Sequence, residues 1–144
     1  MLRRLPLVTA LALVWLTAGD REPEPARAAD KDAKADKAAF VHTVIIRLNK
    51  DAPTGEVDAI IKDSRDLLAQ IPSVREVRAG TPSDKGTPKL ARTDYDVGLL
   101  VLFDDADGLK AYLEHPMHQE FVKRHNKNLD MDKLLVYDFM NQTK

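Results

Sequence analysis

The sequence of 144 residues predicts an α+β fold, four antiparallel strands with helices laid on one face of the sheet. Three observations carry that expectation. Apolar runs at 40–48, 95–103 and 133–139, the first of them rich in β-branched residues, are short enough to be strands. Between the first two, Val57, Ile60, Ile61, Leu67, Leu68 and Ile71 recur at spacings of three, four and seven, which puts them on one helix face. There is no cysteine, so packing alone has to hold the domain together.

Phe40 to Leu48 (FVHTVIIRL) is the first strand, with Phe40, His42, Val44, Ile46 and Leu48 on one side by period two. The helix follows Pro53-Thr54: Thr54 is available as its cap, Glu56 suits the positive first turn, and Pro72 fixes the end. Ser73 to Gly80 (SVREVRAG) is a second strand whose Val74 and Val77 break strict alternation, as a bulge or an exposed edge would. Thr81 to Thr93 holds two prolines and a glycine and reads as a long hairpin loop. Tyr95 to Phe103 (YDVGLLVLF) is apolar on both sides, the mark of a central strand. A helix capped by Asp104 or Asp105 is interrupted at Pro116 and resumes from Met117 to Leu129. Lys133 to Phe139 (KLLVYDF) is the last strand, expected beside the first at the centre of the sheet. The order β-α-β-β-α-β is the ferredoxin-like sandwich. Its helices cover one sheet face only, which predicts a homodimer closed sheet to sheet.

The N-terminus is of another kind. Arg3-Arg4 is a basic start, Leu5 to Gly19 runs fifteen residues without a charge, and Ala26-Arg27-Ala28 offers a small-x-small cleavage site. Residues 1–28 are therefore expected to be a signal peptide, with Gly19/Asp20 as a second cleavage point and an uncleaved anchor as the alternative. The apolar run is short for a membrane span, which takes about 20 residues. No cysteine follows it, which excludes a lipid-modified signal. Residues 29–39 (ADKDAKADKAA) alternate alanine with charge and form a linker, leaving 40–144 as the domain. Removing residues 1–28 takes away four Lys/Arg and three Asp/Glu, leaving 18 against 20 and a net charge near −2. Without a basic cluster, neither nucleic acid nor stable membrane insertion after cleavage is expected. The location expected is periplasmic or secreted.

Three of the four histidines, His115, His118 and His125, fall in one stretch around YLEHPMHQEF. With Pro116 as the first helical residue, His115 sits at the cap and His118 one turn in. His118, Phe121, Val122 and His125 then share a face, and Phe121 and Val122 are expected to point at the core. His42 lies on an apolar strand face and Asp138 interrupts the last strand, so the two can approach one another. Three readings fit. One is a buried polar cluster without chemistry, in which Asp138 needs a partner. Another is an acid/base set, His118 with Asp138 and Tyr112 with His42, since a carboxylate can hold an imidazole in one tautomer. The third is a metal site drawn from His115, His118, His125, Asp138 and His42, for which a spacing of three is a weak signal. Serine and cysteine nucleophiles are not indicated, and no cofactor is expected.

These residues in this order resemble the stress-responsive dimeric α/β-barrel (Dabb) family. The landmarks are VHTVIIRL, IPSV, YDVGLLVLF, the AYxxHPxH pattern in AYLEHPMHQEF, and the closing LLVYDF. The resemblance spans Phe40 to Phe139 and implies the ferredoxin-like fold and its sheet-to-sheet homodimer. One member that resembles this chain at its site residues, olivetolic acid cyclase, is a plant polyketide cyclase. By that resemblance His118 is the general base of an aldol condensation, Asp138 orients it, and Tyr112 and His42 hold or polarise the substrate carbonyl. The expectation is a domain that binds a small organic ligand in a pocket of each protomer. The alternatives are a cofactor-independent cyclase, lyase or monooxygenase, and a structural dimer without a ligand.

Overall fold

The computed structural model describes residues 39–83, 85 and 89–142. The expected signal peptide and all but the last residue of the expected linker lie outside these, as does part of the 81–93 loop. The strands are β1 (Phe40–Ile46), β2 (Val74–Gly80), β3 (Val97–Phe103) and β4 (Leu135–Met140), and the helices are α1 (Glu56–Asp66), α2 (Ala106–Glu114) and α3 (Pro116–His125). The strands form one antiparallel sheet in the order β2-β3-β1-β4. This is the ferredoxin-like fold. β1 and β4 are neighbours as expected, but β4 is an edge strand and not a central one, because β1 already has β3 on its other side.

Pairing sets the residues in rows across the sheet. On the helix side, Ala79–Leu99–Val44–Val136 and Val77–Val101–His42–Asp138 each run from β2 to β4. On the open side the rows are Gly80–Gly98–Ile45–Leu135, Arg78–Leu100–Thr43–Tyr137 and Glu76–Leu102–Val41–Phe139. A register shift between Val74 and Glu76 is the bulge that the broken alternation of β2 predicts. The core fills the space between the helix-side rows and the helices: Val44, Ile46, Val97, Leu99, Val101 and Phe103 meet Ile60, Leu68, Ile71, Tyr112 and Phe121.

Local chemistry explains the helix ends. α1 is preceded not by Thr54 but by Gly55, whose φ of +92° is left-handed backbone that a side chain disfavours. A short 3-10 turn, Leu68–Gln70, carries the chain to Ile71 before Pro72. Asp105 caps α2 by accepting a hydrogen bond from Gly108 N at 2.9 Å, while Asp104 pairs with Arg75. Pro116 opens α3 and the His115 ring accepts from Met117 N at 3.2 Å, as the sequence predicts. α3 ends at His125, and Leu129 lies beyond it, bridged to Leu48. Phe121 enters the core, but Val122 stays 41% exposed because it falls on the outer flank of the helix. Among the described residues no helix is long and apolar enough to cross a membrane.

Candidate functional site

His42 is delivered by the middle of β1 and Asp138 by the position of β4 paired with it. Paired residues of neighbouring strands point to the same side, so both face the helices. Their side chains meet: His42 Nδ1–H donates to Asp138 Oδ1 at 2.6 Å. A carboxylate can only accept, so the His42 proton is on Nδ1 and Nε2 faces away from Asp138. The sequence-based pairing of Asp138 with His118 is therefore corrected. Asp138 reaches across one strand to His42, which takes the place assigned to His118. Nor is Asp138 a buried charge: its side chain is 42% exposed, because no helix covers the edge strand.

Tyr112 comes from the last turns of α2 and is 1% exposed. Its ring lies edge-on to His42 with centroids 6.0 Å apart, and against Phe103 at 5.2 Å and His118 at 4.5 Å. Among the described residues its hydroxyl has no hydrogen-bond partner. Burial pushes the phenol's pKa up, so it remains a protonated donor throughout the neutral range.

His118, one turn into α3, rests on the Tyr112 ring, and its Nδ1–H donates to the Leu113 carbonyl at 3.2 Å. That bond leaves Nε2 with its lone pair. Desolvation pulls the His118 pKa below the ordinary value; the Leu113 carbonyl opposes this, and the nearby His42 adds to it. Beside it an open hollow of about 450 Å³ is lined by Leu113, His118, Gln119, Val122, Lys123 and Asn126. Of the four candidate residues only His118 lines that hollow. The four nonetheless form one run of contacts, Asp138 to His42 to Tyr112 to His118, drawn from β4, β1, α2 and α3 in turn.

The remaining histidines serve other neighbours. His115 is a cap. His125 is buried between helices, with Nδ1 2.8 Å from Glu56 and Nε2 3.2 Å from Asp63. Sequence spacing does not reveal this cluster, since its acidic members lie more than sixty residues earlier on α1. Among the described residues no group of three or more His, Asp or Glu is arranged to hold a metal ion.

Comparison with known proteins follows this geometry. A family model described as a stress responsive A/B barrel domain matches residues 40–141. A stress-response A/B barrel domain-containing protein of Arabidopsis thaliana is 28% identical over 102 residues, 71% of this chain and 86% of that protein. A dimeric ferredoxin-like protein of unknown function from Jannaschia superposes with a TM-score of 0.55 at 26% identity, covering 69% of this chain and 96% of that one. The hydroxynitrile lyase of Passiflora edulis superposes with a TM-score of 0.60 at 23% identity, covering 75% of this chain and 98% of that one. At that identity the likeness to the lyase is one of fold.

Proposed function

This chain belongs to the stress-responsive A/B barrel domain family, and from that premise we propose that it is an exported homodimer binding a small organic ligand in a pocket of each protomer. The pocket proposed is the hollow beside His118, which rests on Tyr112, with His42 and Asp138 further along the same run of contacts. The observation that carries the reading is Tyr112, a nearly fully buried phenol without a partner for its hydroxyl among the described residues, held between two imidazoles. Among the described residues the buried polar atoms without a partner are Ser73 Oγ and Glu76 Oε2, so the tip of the Tyr112 hydroxyl still reaches solvent, where a bound ligand can accept from it. His118 Nε2 supplies the complementary acceptor. A phenol or enol both donates and accepts, and so suits the two groups at once.

The dimer is supported by the open sheet face, whose β4 residues Leu135, Tyr137 and Phe139 are about half exposed. Such a strip on a soluble domain marks an interface, and the Jannaschia protein of the same fold is described as dimeric. Export rests on the basic start, the uncharged run and the small-x-small site of residues 1–28. Its test is the mass of the protein recovered outside the cytoplasm, which export with cleavage sets below that of the full chain.

Ligand binding is tested by calorimetry with a resorcinol bearing a short alkyl chain. The wild-type protein is expected to bind it. Tyr112→Phe, which removes the hydroxyl and leaves the ring, is expected to weaken binding about two- to tenfold, the worth of one hydrogen bond. Equal affinity for both proteins would remove Tyr112 from the site.

A second reading, acid/base catalysis, is favoured by the state of His118. A base needs a free lone pair and a neutral form at working pH, and the Leu113 bond and desolvation provide both. Exchange of deuterium into the central carbon of a 1,3-diketone follows that chemistry directly. Acceleration by the wild type and its loss in His118→Gln are expected; equal rates with both would leave binding alone.

A further inference from the structure

On the open face, the row Gly80–Gly98–Ile45–Leu135 carries no side chain at its β2 and β3 positions. A Cβ added at Gly80 would meet nothing within 4 Å, and one at Gly98 would first meet the Tyr95 ring at 3.5 Å. The result is a notch of about 380 Å³ walled by Thr43, Arg78, Tyr95 and Leu100. The opposite edge of the same face projects through Leu135, Tyr137 and Phe139. Leu135 and Tyr137 also border, with Ile45 and Tyr95, a wider hollow of about 770 Å³, so the half-exposed Leu135 has open space around it.

We infer that the notch over Gly80 and Gly98 is the socket for Leu135 of a second copy, and that the two-fold axis of the dimer runs along the strands. The inference rests on the sheet-to-sheet dimer proposed above. Two sheets closing face to face need an axis in the plane between them. An axis along the strands lays β4 of one copy over β2 of the other and maps each open-side row onto itself. Leu135 then falls over Gly80, Ile45 over Gly98, and the Tyr137 ring over the Arg78 guanidinium, a favourable cation–π pairing. An axis across the strands lays β2 over β2. That sets Arg78, with the Glu76 carboxylate it pairs with, against its own copy, so desolvation of two facing ion pairs opposes it. Packed sheets cross at roughly 30°, a small enough angle over three rows to keep these neighbours in contact.

Gly80 has no left-handed backbone and open space at its Cβ, so Gly80→Val fits the isolated protomer and suits a strand. Filling the socket overpacks the interface. The dissociation constant of the dimer, measured by analytical ultracentrifugation of the full chain, is expected to rise about tenfold or more, with the far-ultraviolet circular dichroism unchanged. Leu135→Ala, a change at a half-exposed position, is expected to weaken the dimer independently. Combining the two is expected to cost less than their sum, because the shortened side chain makes room for the valine. A dimer of unchanged strength in either single variant, or strict additivity of the pair, overturns the socket alone. A wild-type chain that sediments as a monomer overturns the dimer and the socket together.

Discussion

Desolvation at His118 outweighs the pull of the Leu113 carbonyl, and the consequence can be read in stability as well as in chemistry. Because the folded imidazole binds its proton more weakly than the unfolded one, the unfolded chain is the better proton acceptor below the ordinary value of 6.5. The contribution of His118 to stability is fully present above that pH and is lost as pH falls through the lower, folded value. Urea midpoints measured from about pH 8 to about pH 5 are expected to decline, and His118→Gln to flatten that decline. At Asp138 the residue scale also shows what spacing cannot supply. The neighbourhood of His42 and Asp138 is legible, because the first and last strands of a β-α-β-β-α-β chain are adjacent. The choice between His42 and His118 is not, since it depends on strand register and on how far α3 stands from the edge of the sheet.

Helices α1 and α3 are joined at the level of elements by a buried polar pin. His125 is 4% exposed and places each ring nitrogen against a carboxylate, Glu56 and Asp63, while Arg124 adds a second contact to Asp63 at 3.0 Å. Burial raises the Glu56 pKa. Hydrogen bonds from Asn128 and His125 and the charges of His125 and Lys127 outweigh it, and the net shift is below the ordinary carboxylate value. The stability this contributes is present above pH 4.5 and lost as pH falls through the folded value. His125→Ala leaves a buried carboxylate without its partner and is expected to cost about 3 kcal/mol in urea unfolding. A cost within 0.5 kcal/mol, the range of an ordinary surface change, would show that the pin holds nothing. At the other end of α1, Gly55→Ala is expected to cost about 1 kcal/mol, since only glycine takes that backbone readily. Pro116 is legible because a proline fits the first turn and little else in a helix. Glu56 is legible as a first-turn acid but not as a partner of His125, because helical spacing is silent on contacts between helices.

For the whole molecule, one asymmetry organises both the interface and the site. The helices cover β2, β3 and β1 but stop short of β4. The uncovered strand leaves Leu135, Tyr137 and Phe139 exposed on one face, where the proposed second copy would dock, and brings Asp138 to His42 on the other. β4 therefore takes part in both, and Phe139→Asp, on the open face, is expected to break the dimer while leaving the His42–Asp138 contact in place. The four-strand order and the single covered face are legible from hydrophobic period. The edge position of β4 is not, because its run of apolar residues looks like that of a core strand, and the proposed dimer would cover it. The most direct test of the proposed site is the set of imidazole signals of the full, ¹⁵N-histidine-labelled chain titrated with the alkylated resorcinol. The account predicts that the His42 and His118 signals move together and saturate, while those of His115 and His125 stay in place. Signals of His42 and His118 that do not respond at saturating ligand, or a response centred on His125, would contradict it.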